Sequence, residues 1–151
     1  MFMPMIEYND EYFMREAIKE ARQALEEDEV PIGCVIVCNN TIIARAHNMI
    51  QRLKDSTAHA EMIAITAAEE YLHSKYLKDC TLYVTLEPCI MCAGAMLWTQ
   101  IPRVVYGADD EKRGAFLYGF PYYPTATIDG GVLEEECKEL VKDFFRKKRK
   151  K

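Results

Sequence analysis

Helical and strand-like periods alternate along this chain, and that alternation predicts an α/β layered domain with one mixed sheet covered by helices. Three observations carry the prediction. Amphipathic helical stretches open and close the sequence; β-rich apolar runs lie between them; and 151 residues, 50% of them hydrophobic, suffice for one compact core. The same composition argues against a disordered or fibrous chain. A single domain over 1–151 is expected.

Asn9 and Asp10 are suited to cap a first helix, in which Phe13, Ala17, Ala21, Ala24 and Leu25 fall at near-helical spacing, to about Glu27. Pro31 and Gly33 punctuate the chain. Ile32 to Cys38 and Thr41 to His47 then read as two strands joined at Asn39-Asn40, a tight hairpin. Asp55, Ser56 and Thr57 precede the apolar stretch Ala58 to Leu72, so a second helix starts near His59. Thr81 to Leu86 reads as a buried strand. Pro88 suits the first turn of a third helix, to about Trp98, and Arg103 to Gly107 reads as another strand. From Asp109 to Ala126 the chain is loop-like yet aromatic, with Phe116, Tyr118, Phe120, Tyr122 and Tyr123, for which self-packing is the expected role. After Gly130-Gly131, Leu133, Cys137, Leu140, Val141 and Phe144 form the stripe of a last helix. It ends in the basic run Arg146 to Lys151.

The apolar run Cys89 to Trp98 is too short to cross a bilayer as a helix, which takes about 20 residues. The acidic start, Met1 to Asp10, lacks the basic and apolar regions of a secretory signal, so a cytoplasmic protein is expected. In such a reducing setting the six cysteines, Cys34, Cys38, Cys80, Cys89, Cys92 and Cys137, are not expected as disulfides. Only Cys89 and Cys92 are closely spaced.

His59-Ala60-Glu61 and Pro88-Cys89-Ile90-Met91-Cys92 supply one imidazole and two thiols from two helix starts. Three such ligands with an open fourth position make a catalytic zinc arrangement. Cys89 and Cys92 share one face of a first helical turn, where the helix dipole favours thiolate. His59 belongs at the cap and Glu61 inside the helix, where a carboxylate can move a proton between a nucleophilic water and a substrate. A redox pair, or half of a structural zinc site completed by Cys80, His73 or Cys137, would use the same cysteines. His47 reads as an ordinary strand histidine, His73 as a surface one, and Asn48, on composition alone, as a turn residue.

His-x-Glu followed by Pro-Cys-x-x-Cys is the signature of zinc-dependent nucleoside and nucleobase deaminases. Thr57 to Glu61, Thr81 to Met96, Val30-Pro31-Ile32-Gly33, Arg103 to Ala108 and Asp143-Phe144-Phe145 together closely resemble the bacterial tRNA-specific adenosine deaminases, over nearly the whole chain. The resemblance implies a cytidine-deaminase-like three-layer α/β/α fold and a homodimer. It implies one zinc ion per subunit on His59, Cys89 and Cys92, with Glu61 as general acid and base. The implied activity is hydrolytic conversion of adenosine to inosine at the wobble position of an arginine tRNA anticodon. Asn48 matches the asparagine that hydrogen-bonds the flipped base, Asp110 an acidic residue that contacts the adjoining ribose, and Ala60 a substrate-binding position. The chain departs from better-known members at Asp109-Asp110, where they carry Arg-Asp, and in the aromatic loop from Gly114 to Phe120. A guanine or other nucleobase deaminase would share the ligands and the glutamate, and a catalytically idle zinc-stabilised RNA-binding subunit would share the ligands alone.

Charge separates these readings. The net −5 alone argues against nucleic acid, because an acidic surface repels phosphate. Yet of 19 Lys+Arg, six lie between Arg146 and Lys151, leaving 13 against 24 Asp+Glu, a net −11, for the rest. Those six either complement the helix end and fray into solvent or neutralise the phosphates of an anticodon stem-loop. Together with the resemblance, they favour RNA.

Overall fold

The computed structural model describes residues 7–115, 119–120 and 126–149. Asn9 caps α1 (Asp10–Glu26), its side chain accepting from the Tyr12 N–H at 2.8 Å. β1 (Gly33–Cys38) and β2 (Thr41–His47) form the expected hairpin, with Asn39 and Asn40 both at positive φ (51° and 61°). There follow α2 (Ile50–Leu53), α3 (Ala60–Leu72), β3 (Cys80–Leu86), α4 (Ile90–Thr99), β4 (Arg103–Ala108), β5 (Thr127–Asp129) and α5 (Glu134–Arg149).

The strands make one mixed sheet in the order β2-β1-β3-β4-β5, antiparallel from β2 to β3 and parallel from β3 to β5. Alternate residues of the central strands feed two cores, one on each face. Val35, Val37, Tyr83 and Val105 pack with Phe13, Met14 and Ala17 of α1 and with Cys137 and Leu140 of α5. Cys34, Ile36, Leu82, Val84 and Val104 pack with Ala60, Ala64 and Ala68 of α3 and with Cys92 and Met96 of α4. The result is the expected three-layer α/β/α arrangement. Gly33 sets the spacing of the first pair of layers: a Cβ there would stand 2.0 Å from the Ala17 carbonyl oxygen, so only glycine lets α1 lie this close to β1.

Two elements, α2 and β5, lie in stretches to which the sequence alone assigns none, and two expectations need correction. The third helix starts at Ile90 rather than at Pro88, because Cys89 takes the cap position. The basic run does not fray at once: α5 continues through Arg149, and Lys148 pairs with Asp28 across the molecule at 2.9 Å. Of the aromatic loop, Phe116, Tyr118, Tyr122 and Tyr123 lie outside the described residues.

Candidate metal centre and active site

His59 and Cys89 occupy equivalent positions, the N-caps of α3 and α4, each with extended backbone (φ −74°, ψ 150° and φ −76°, ψ 173°). Cys92 follows in the first turn of α4. Their ligand atoms all lie within 4.8 Å of one another, with the His59 Nδ1 at 3.7 Å from the Cys89 Sγ and 3.6 Å from the Cys92 Sγ. A tetrahedral zinc with ordinary Zn–S and Zn–N bonds would separate sulfur and nitrogen by about 3.6 Å, so these residues fit the ion with little rearrangement. Cys80, His73 and Cys137 do not join the cluster among the described residues. Cys80 faces Cys38 across the sheet, His73 ends α3, and Cys137 packs on Gly107. Three ligands leave room for a fourth that is not protein, which a closed structural site would not.

The electrostatics suit a cation. The Cys92 thiol shares its proton with the Cys89 sulfur. That hydrogen bond holds Cys89 down to about 4 and pushes Cys92 well above the ordinary thiol range. Hydrogen bonding to Cys89 also raises His59. A zinc ion would take the place of the shared proton. Glu61, 4% exposed, contacts the Cys92 thiol, and burial pushes its carboxyl up to about 7. At neutral pH such a group both accepts and releases a proton readily.

A ligand at a cap position cannot also cap its helix. For α3 that task falls to Asn48, buried just after β2, whose Oδ1 accepts from the Ala60 N–H at 2.8 Å. The end of β2 is itself anchored, since the ring of His47 lies 2.5 Å from Glu27 Oε2 and 3.5 Å from Glu20 Oε1. Asn48 and Ala60 are therefore together, joined to each other, one residue from the first ligand.

Asp110 stands in the turn after β4, where its Oδ1 accepts from the Lys112 and Arg113 N–H groups, both at 3.1 Å. This turn abuts α4: Gly114 bridges to Cys89, and the Ala115 N–H donates to the Pro88 carbonyl at 2.9 Å. Sequence reasoning missed what holds it there. Buried Glu87 accepts from the Asp110 N–H at 3.0 Å, and its carboxylate lies so near Gly114 that a Cβ would be 2.4 Å away. A carboxylate next to Pro-Cys carries no local sign that its partner is 23 residues ahead. Arg113, in the same turn, is exposed, makes no ion pair among the described residues, and lies close enough to oppose the rise of His59 by repulsion. A separate groove, about 840 Å³, lies between the α1–β1 turn, α2 and the end of α5, lined by Ile50, Arg52, Phe144 and Phe145; none of the three ligands lines it.

Residues 7–108 match the cytidine and deoxycytidylate deaminase zinc-binding region. The chain is 49% identical over 148 residues to a tRNA-specific adenosine deaminase of Bacillus subtilis, covering 94% of this chain and 92% of that one. A solved structure from studies of A-to-I editing by tRNA:A34 deaminases at the wobble position of transfer RNA is 43% identical, with a TM-score of 0.80 over 85% of this chain and 98% of that chain. The guanine deaminase of Bacillus subtilis is 37% identical, with a TM-score of 0.66 over 75% of this chain and 71% of that chain. With two helix starts presenting a histidine and two cysteines beside a buried glutamate, the chain belongs to the cytidine and deoxycytidylate deaminase zinc-binding family, in the company of the bacterial tRNA-specific adenosine deaminases.

Proposed function

We propose that the protein is a zinc-dependent hydrolytic deaminase that converts adenosine to inosine at the wobble position of a tRNA anticodon, that of an arginine tRNA by family resemblance. The carrying observation is the open His59, Cys89, Cys92 cluster with Glu61 beside it, in a chain 49% identical to a protein named for that substrate class. One zinc per subunit would sit on these three ligands and supply the Lewis acidity that makes a water nucleophilic near neutral pH. Glu61 would carry one proton of that water to the purine ring nitrogen, where it stays, and then the remaining hydroxyl proton to the departing amine, which leaves as ammonia. With its Oδ1 accepting from Ala60, Asn48 has both Nδ2 hydrogens left to hold the base. They select an acceptor such as a ring nitrogen or a ribose oxygen. Ala60 would serve substrate binding through Asn48, and Asp110 would meet the ribose beside the reacting base, the role that the family resemblance implies for it.

Arg113 favours a polynucleotide over a free base, since an exposed cation beside the first cysteine ligand suits a backbone phosphate. The protein acts in the cytoplasm as a single deaminase domain over 1–151. No helix among the described residues is long and apolar enough to cross a membrane. A homodimer is supported by α4, which leaves Ile90 in solvent and Trp98 82% exposed, an apolar surface suited to a second copy.

Zinc-loaded protein incubated with an anticodon stem-loop bearing adenosine at the wobble position should yield inosine on sequencing, and Glu61→Gln should lower the rate by roughly 10²-fold or more. No conversion by the zinc-loaded protein would overturn the substrate, and full activity of the variant would overturn the mechanism. The likeness to a guanine deaminase gives the second reading, for which turnover of free guanine to xanthine is the sign.

A further inference from the structure

Two cysteines that the deaminase chemistry does not use stand directly opposite each other in the sheet: Cys38, at the end of β1, is the register partner of Cys80, at the start of β3. We propose that they form a second thiol site, a dithiol that a low-molecular-weight disulfide closes into a cross-strand disulfide bond.

Backbone geometry decides whether such a bond can form. The two-residue turn Asn39-Asn40, with positive φ at both positions, closes on the pair Cys38–Thr41, so the N–H and C=O of Cys38 point towards β2. Facing β3, Cys38 therefore belongs to a non-hydrogen-bonded pair. Cys80 agrees independently, since its N–H donates to the Leu77 carbonyl at 3.2 Å rather than to Cys38. In antiparallel sheets these are the closer pairs, with Cα atoms about 4.5 Å apart, inside the range a disulfide spans. Directly opposed residues also project on one face, and both cysteines pack into the core beneath α3 and α4. The Cys38 sulfur is near enough to add to the effect of burial in pushing the Cys80 thiol up to about 12.

Access assigns the order of events. Cys38 is partly exposed and Cys80 is 1% exposed. The Cys38 thiolate attacks one sulfur of the small disulfide, forming a mixed disulfide and expelling one thiolate. The Cys80 thiol then loses its proton to that thiolate and attacks the Cys38 sulfur, expelling the second small thiolate, which takes a proton from water. Two protein thiols are oxidised and one small disulfide is reduced to two thiols. Cys34, Cys92 and Cys137 are buried and have no such route. The bond would close a loop over residues 39–79, the segment that carries Asn48, His59 and Glu61.

The test treats zinc-loaded protein with oxidised glutathione and maps its peptides by mass spectrometry. The expected product has lost two hydrogens, carries a Cys38–Cys80 link, and melts roughly 5 °C or more higher than the reduced protein, returning on reduction. Cys80→Ser should trap glutathione on Cys38, and Cys38→Ser should leave Cys80 unreacted. Wild-type protein that keeps both thiols free, retains glutathione on Cys38, or links another pair of cysteines would overturn the proposal. The outcome is independent of the deaminase reading, because the link is read as mass and position rather than as turnover.

Discussion

Asn48 holds the start of α3, and in the proposed reaction the same side chain would address the substrate. Its Oδ1 satisfies the buried N–H of Ala60, the first residue of α3, while its Nδ2 stays available. The two tasks can be separated. Asn48→Ala leaves a buried donor unpaired, so it should lose about 1–3 kcal/mol in urea unfolding and impair zinc retention. Asn48→Asp keeps an acceptor, and its charge is favourable at a helix start. It should therefore unfold within about 1 kcal/mol of wild type and keep zinc, yet lose roughly tenfold or more in kcat/KM for the anticodon stem-loop. An aspartate variant with full activity would reduce Asn48 to a cap. Sequence reasoning alone reads this residue as a turn, because the N–H it caps lies 12 residues ahead, and only the family resemblance points to it. Cys89 and Cys92 are legible from spacing, since a separation of three brings them to one face of a helical turn, and His59 and Glu61 are legible as a cap residue and a first-turn residue of the helix that follows.

Elements were legible in proportion to how far their cause lies in the local sequence. α1, the hairpin, α3 and β3 declare themselves through caps, turn residues and periodicity. α2 does not: Glu29 caps it by accepting from the Gln51 and Arg52 N–H groups at 3.0 and 2.8 Å, 22 and 23 residues away. β5, three residues long, is held at the sheet edge by pairing with β4 and by Arg103, which also joins β4 to the start of α1. Arg103 donates to both carboxylate oxygens of Asp10, at 2.8 and 2.7 Å, while the Tyr83 hydroxyl donates to the same carboxylate at 2.7 Å. The Arg103 hydrogen bonds hold the Asp10 carboxyl below its usual 3.8, against the opposing effect of burial. A depressed carboxylate stabilises the fold fully above its unfolded value and loses that contribution as pH falls through the folded one. Urea unfolding should therefore find wild type above Asp10→Asn by about 1 kcal/mol at pH 7, a modest figure because the pair is partly exposed. The gap should shrink below pH 3.8. An equal gap at pH 7 and pH 3 would mean that the stabilisation does not depend on the charge of Asp10.

At the scale of the molecule, the net charge of −5 averages an acidic body with a basic helix end. The structure sharpens that division, since the basic residues extend α5 as far as Arg149 instead of leaving it as loose chain. Not all of them are free for a partner. Arg146 is paired with Asp143, and Lys148 with Asp28 beside the groove that Phe144 and Phe145 also line. Lys147 and Arg149 are exposed and make no ion pair among the described residues, so they are the cations most available to phosphate. Each phosphate contact on a single strand adds about 0.7 to the slope of log affinity against log salt. Lys147→Ala with Arg149→Ala should therefore weaken stem-loop binding at low salt and flatten that slope by about 1.4 if each meets one phosphate, with zinc content and melting temperature unchanged. Removing residues 146–151 should flatten it further, and at some cost in stability because the Lys148–Asp28 bridge goes with it. Beside the metal centre Arg113 is a further exposed cation, so adding Arg113→Ala to the double variant should reduce the slope again by about 0.7 if that residue meets the backbone beside the reacting base. Equal slopes for wild-type and truncated protein would assign the basic end to closing α5 against Asp28 and would leave RNA attraction to the rim of the metal centre alone.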